Sequence, residues 1–262
     1  MDSLATIGVA MEGDVLVATI DRVGSDLNTV DDQLHADLAS FFAALKRERG
    51  ARAALLTGSK RAFSAGGDFD WFPSLRSVER LDHLRRDAKQ MIWDLLDVEM
   101  PIVAGLNGPA VGLGASIALL CDVVVMAESA VIADPHVRVG IVAGDGGAAI
   151  WPLLVGPLLA KRYLLTGDPV TAAEAERLGL VTEVAADAEI AARAMAWAER
   201  LAAGAPLALR GTKAAVNAQL KRALLDSFDL STALELPLFL TQDHEEAMAA
   251  LREGRPPHFE GR

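Results

Sequence analysis

The apolar and polar positions of this chain divide it into a strand-rich front and a helical back. Ile7–Ile20 alternates around Glu12-Gly13-Asp14, which predicts two short strands joined by a hairpin turn. Asp31 or Asp32 then opens a helix through about Arg49, with Leu34, Leu38, Phe41, Phe42 and Leu45 on one face. Ala53–Thr57 is a short unbroken apolar run, the mark of a buried strand, and it feeds the small-residue loop Ala62–Phe69. Leu75–Asp97 is charged and periodic and reads as a long surface helix. Ile102–Leu106, Val123–Ala127 and Val131–Ala133 are further strands. From about Gly147 the pattern is helical: Ala148–Leu154, Ala160–Leu165, Thr171–Leu178, Ala186–Ala202, Pro206–Arg222, Leu224–Leu238 and Thr241–Glu253. Thr171 and Glu174 have capping-box spacing. Strands alternating with helices predict a layered α/β core, with the C-terminal helices packed on it or on a neighbouring subunit.

The stretch Pro101–Asp122, PIVAGLNGPAVGLGASIALLCD, organises the rest. A strand ends in the turn Asn107-Gly108-Pro109, Gly112 and Gly114 flank Leu113, and Ala115–Cys121 reads as a short apolar helix. Strand, glycine-rich turn and buried helix leave free N–H groups at a helix start, where the dipole favours negative charge. Two readings stand: a phosphate or oxyanion held there, or tight helix–strand packing with no ligand. A dinucleotide fingerprint fits poorly, because Ile117 stands where its third glycine belongs. Both glycine-rich loops follow strands, and the carboxyl ends of strands are where α/β sheets bind ligands.

Composition narrows the partners. A net charge of −11 and a pI near 4.9 argue against nucleic acid or an anionic membrane. Cys121 is the single cysteine, so a disulfide framework and a cysteine zinc site are excluded. The opening MDSLATIGVAMEGDV shows no secretory pattern, and the apolar residues 110–121 are too short to span a bilayer. A soluble cytoplasmic protein is expected. No cluster has metal-ligand spacing and no Gly-x-Ser-x-Gly elbow occurs.

The motifs, taken in order, resemble the crotonase superfamily of enoyl-CoA hydratases and isomerases. They are Asp26-Leu-Asn28, Ala54-Leu-Leu-Thr-Gly58, Ala62-Phe-Ser-Ala-Gly-Gly-Asp68, the stretch through Cys121-Asp122, Tyr163-Leu-Leu-Thr-Gly167, Ala172 to Ala175, Gly179-Leu-Val181, and Asp243…Arg255-Pro256…Phe259-Glu-Gly261. The resemblance implies an α/β spiral of stacked ββα turns over residues 1–200. It implies a C-terminal helical region over 201–262 that builds a homotrimer or a dimer of trimers. It also implies a coenzyme A thioester as substrate, with no separate cofactor. By motif position the backbone N–H groups of Gly67 and Leu113 form an oxyanion hole. Ala62, Phe63, Ser64, Ala65 and Gly66 face the coenzyme, and Asp68, Gly112 and Trp71 complete the substrate-binding set; Asp68 also reads as the group that fixes its loop.

The chain departs from the family where hydratases carry two glutamates. Those positions hold Ser116 and His136. Serine can position water but cannot alone accept a proton. His136, with an unperturbed pKa of about 6.5, suits a general base, the alternative being a loop hydrogen bond. Asp145, nine residues on, either orients His136, acts as a base, or caps the helix near Gly147. Asp134 reads as turn chemistry within reach of His136. Trp71, Phe72 and Trp151 line an acyl pocket or fill core, and His35, His83, His244 and His258 read as solvent-facing. The run His136–Trp151 also resembles β-diketone hydrolases, which cleave C–C bonds with a histidine and an aspartate at this spacing. Three activities follow: acyl-CoA hydration or isomerisation with His136, Asp145 and Ser116 as the catalytic set, retro-Claisen hydrolysis, or acyl-CoA binding alone. A basic patch for coenzyme phosphates favours the first, and its absence with a closed pocket favours the second.

Overall fold

In the computed structural model, which describes residues 4–262, the chain starts with β1 (Ile7–Glu12) and β2 (Val15–Ile20). Met1–Ser3, which open the segment read for a secretory signal, lie outside the described residues. The two strands pair antiparallel across a two-residue turn in which Gly13 takes φ +59°, a conformation glycine adopts without strain. Helix α1 (Asp32–Leu45) is capped by the Asp31 carboxylate, which accepts the Leu34 N–H, and buries the five apolar residues of its predicted face. It returns the chain to β3 (Ala53–Gly58), parallel to β2. A 3-10 turn at Phe72–Leu75 and the Ser77-capped α2 (Val78–Asp97) lead to β4 (Ile102–Leu106). Then follow β5 (Ala110–Val111), α3 (Leu113–Leu119), β6 (Val123–Ala127), β7 (Val131–Ala133) and a 3-10 turn at His136–Val139.

The second half comprises α4 (Gly147–Thr166), β8 (Val170–Thr171), α5 (Ala172–Leu178), β9 (Glu183–Ala185), α6 (Ile190–Ala202), α7 (Pro206–Glu235), a 3-10 turn at Leu236–Leu240 and α8 (Gln242–Glu253). One sheet runs β1-β2-β3-β4-β6-β9, parallel from β2 onward, and a small one runs β5-β7-β8. Every position of β4 is buried, as expected for a central parallel strand covered on both faces.

Beside these sheets, isolated bridges join Val30 to Gly67 and Ser64 to Ala110. They bring the loop after β3 against the turn after β4. Asn28, fully buried at φ +49°, locks the same loop by donating from Nδ2 to the Ile20 and Ala62 carbonyls at 3.0 Å each.

Several expected boundaries move. Pro206–Arg222 and Leu224–Leu238 are one helix, α7, because nothing between Arg222 and Leu224 stops it. The short helix ends at Leu119, before Cys121. The segments around Ala148 and Ala160 merge into α4 across Gly156, whose φ of 78° and ψ of 158° break the helix between Pro152 and Pro157. Strands β5, β8 and β9 are two or three residues long, too short for any periodic signal. Among the described residues α4 alone has the length and mean hydropathy, 1.3, of a membrane span, but the break at Gly156 interrupts it.

Candidate active site

The Ser64–Ala110 bridge sets two glycine turns side by side. Gly66 takes φ +78° and Gly112 φ +53°, and a Cβ on Gly66 would stand 2.9 Å from the Val111 carbonyl oxygen. Only residues without side chains allow this approach. The next residue in each turn, Gly67 and Leu113, presents an N–H that no hydrogen bond among the described residues engages. Leu113 is also the first residue of α3. Both residues line one narrow cavity of about 90 Å³, together with Gly112, His136 and Asp145. Two free amides on one mostly apolar cavity are suited to an oxygen that gains negative charge.

The acid/base groups enter from the segment after β7. Asp134, 1% exposed, accepts from His136 Nδ1 at 2.5 Å through Oδ1. Its Oδ2 has no hydrogen-bond partner, and a Cβ on Gly147 would collide with it. On the other side of the ring, His136 Nε2 stands 3.4 Å from Asp145 Oδ2. The Ser116 hydroxyl donates to Asp145 Oδ1 at 3.0 Å. Burial pulls the His136 pKa down, but the charges of Asp134 and Asp145 and their hydrogen bonds outweigh it and hold it well above 6.5. Burial pushes Asp145 up, yet His136, Ser116 and the Gly147 N–H leave it below the ordinary aspartate value. His136 thus favours its protonated form and Asp145 its ionised one, which sets the pair up to exchange a proton.

Three ligand-type groups, Asp134, His136 and Asp145, come within 4.8 Å of one another. The sequence spacing does not predict this cluster, which the fold assembles by setting one carboxylate against each ring nitrogen of His136. Asp145 precedes Gly146, the N-cap residue of α4, which has no side chain to cap with, and the Asp145 carboxylate accepts from the Gly147 N–H. Ser116, 1% exposed, sits behind Asp145 and spends its hydroxyl there, so it positions the carboxylate.

The sequence pattern missed Glu235. This last residue of α7 lines the cavity, is 7% exposed, and places Oε1 3.8 Å from His136 Nε2. Its carboxyl makes no hydrogen bond among the described residues, and burial pushes its pKa to about 8 against the pull of His136. A glutamate in a helical run gives no signal of its own; only the position of Gly144 in the Asp145 turn, where a Cβ would collide with this carboxylate, marks the approach.

Other expected residues scatter. Trp71 and Phe72 line the cavity, and Trp71 Nε1 donates to Asp32 at 2.9 Å. Trp151 is fully buried against Tyr163, away from the cavity, and takes the core alternative. Ala62, Phe63 and Ser64 are buried under the loop, leaving Ala65 as the partly exposed member of that run. Gly66 faces Val111. Asp68 fixes its loop by accepting from Thr29 at 2.9 Å, from Arg22 at 2.5 Å and from the Asp70 N–H at 3.0 Å. His83 and His258 are exposed as expected, but His35 and His244 are buried. His35 lines the cavity, and His244 Nδ1 donates to the Val139 carbonyl at 2.7 Å.

Outside Trp71 the cavity gives onto a cleft lined by Asp31, Asp32, Asp68 and Asp70. Arg22, the one cation in that lining among the described residues, is bound to Asp31 and Asp68.

A family model described as enoyl-CoA hydratase/isomerase matches residues 11–262. The 2,3-dehydroadipyl-CoA hydratase of Escherichia coli is 31% identical over 255 residues, covering 97% of this chain and 98% of that one. A crystal structure of an enoyl-CoA hydratase/isomerase from Mycobacterium paratuberculosis superposes with a TM-score of 0.90 at 40% identity, over 95% of this chain and 99% of that one. A β-diketone hydrolase from the cyanobacterium Anabaena, bound to (S)-3-oxocyclohexyl acetic acid, superposes with a TM-score of 0.85 at 29% identity, over 91% and 96%.

Proposed function

The chain belongs to the enoyl-CoA hydratase/isomerase family of the crotonase superfamily, and from that premise we propose that it adds water to an acyl-CoA carrying a conjugated double bond. One observation carries the reading: the free N–H groups of Gly67 and Leu113 and the Asp145 carboxylate line the same cavity. The thioester oxygen accepts from the two amides. Asp145 takes a proton from water as the oxygen bonds to the β-carbon, and the displaced electron pair moves to the thioester oxygen as an enolate. His136, held by Asp134, keeps Asp145 ionised until that moment, and Ser116 fixes its orientation. Isomerisation uses the same enolate, reached by removing a proton from carbon.

The test is the loss of the conjugated double-bond absorbance of crotonyl-CoA. Asp145→Asn should cut kcat by about 100-fold or more, the usual worth of a positioned base. A parent protein that binds the thioester and leaves its absorbance unchanged would sink this reading.

The acidic cleft favours a second reading. Four aspartates around a neutralised arginine are a poor surface for the coenzyme's phosphates. In that case Asp145 activates water to attack a ketone of a 1,3-diketone. The C–C bond breaks, and the enolate leaves into the Gly67–Leu113 amides. Turnover of 1,3-cyclohexanedione with no turnover of crotonyl-CoA would select it. Binding of the thioester without turnover of either compound would select the non-catalytic role.

A further inference from the structure

We infer that Glu235 is a second catalytic acid: its carboxyl protonates the substrate carbon beside the oxyanion-bound carbonyl, and His136 returns the proton held by Asp145 to it. The inference rests on the enolate reading above and goes beyond it by naming the donor to carbon.

The placement of Glu235 is built. Thr232, one turn before it, donates from Oγ1 to the Gly144 carbonyl at 3.0 Å and so docks the end of α7 on the Asp145 turn. Gly144 leaves the space that the carboxyl fills. Ile141, Phe239 and Leu236 line the same cavity and give it an apolar wall. A carboxyl held there with no hydrogen-bond partner has nothing structural to do, and leaving it so costs stability.

The surrounding charges pull both ways: His136 favours the carboxylate, while Asp145 and Asp134 favour the acid. Asp134 and His136 face it from the segment after β7 and Asp145 from the turn before α4. Arg85 of α2, paired with Asp82, and His35 of α1 line the same cavity. His244 of α8 is committed to the Val139 carbonyl. Burial dominates over all of these and pushes the Glu235 pKa to about 8, so the group holds a proton at neutral pH.

The protons balance. Water gives one to Asp145 and forms the new C–O bond; the enolate electron pair then forms a C–H bond with the Glu235 proton. Glu235 is left as carboxylate and Asp145 as acid. His136 Nε2 lies 3.8 Å from one and 3.4 Å from the other. It gives its proton to Glu235 and takes the one on Asp145, which restores every group. An enolate released by C–C cleavage needs the same proton at the same carbon.

The experiment compares the parent with Glu235→Gln, which keeps shape and removes the proton donor, on whichever of crotonyl-CoA and 1,3-cyclohexanedione the parent turns over. We expect kcat to fall about 100-fold or more with KM within about threefold. The parent's loss of kcat as pH rises through about 8 should vanish in the variant. Infrared difference spectra between the two proteins should show a protonated carboxyl at pH 7. Unchanged kcat and pH profile, or an ionised carboxylate in those spectra, would overturn the inference alone. A parent inactive on both compounds would overturn the enolate reading and this inference together.

Discussion

Two buried groups of opposite kind, His136 and Glu235, both hold protons at neutral pH, for different reasons. His136 is charged because two carboxylates hold it so; Glu235 is neutral because nothing solvates its anion. Their effects on stability have the same sign. A group with a raised folded pKa favours folding at low pH and loses that favour as pH rises towards the folded value. For Glu235 the window runs from its ordinary 4.5 to about 8. The melting temperature should therefore fall between pH 5 and pH 8, and Glu235→Gln should flatten that slope. A parent slope that stays equally steep in the variant would place the titrating group elsewhere. At this scale His136, Asp145 and Ser116 were legible by their departure from a family pattern. The charge states of His136 and Asp145 were not legible, because they depend on contacts among Asp134, His136, Asp145 and Ser116 that only the fold makes.

Among the elements, the two glycine turns matter most, because the amides they present are backbone groups. Gly66→Ala would place a Cβ 2.9 Å from the Val111 carbonyl oxygen at φ +78°. Such strain costs on the order of 1–3 kcal/mol. We expect a lower melting temperature and, because Gly67 moves with it, a larger loss of kcat than of substrate binding. Both turns were legible, since strand, glycine run and apolar helix follow one another within Pro101–Asp122 and around Ala62–Gly67. The bridges that pair them were not, because a one-residue pairing leaves no periodicity. The same reason hid β5, β8 and β9. Helix α7 was cut in two on the sequence for lack of a strong apolar stripe; in the fold Leu224, Phe228, Thr232 and Glu235 still face inward.

Over the whole molecule, the apolar surface is unevenly spread. Leu158 and Leu165 on α4 are 83% and 70% exposed, and Leu225, Leu230 and Leu234 on α7 are more than half exposed. Leu224 and Phe228, expected at a subunit contact, are instead buried within the chain. The exposed leucines on these two helices are the surface on which a homotrimer or a dimer of trimers is expected to form. Sedimentation at working concentration should give an assembly of three or six chains that Leu158→Glu weakens. A monodisperse monomer would contradict it.

The docking of α7 on the Asp145 turn also sets a clock on the nascent chain. Strands, glycine turns, His136 and Asp145 are all made before residue 200, while Glu235 follows 90 residues after Asp145. A partly made chain without the end of α7 lacks Thr232, Glu235, Leu236 and Phe239, which line the cavity opposite His136 and Asp145. The cavity is therefore complete only once α7 and the turn after it have been made.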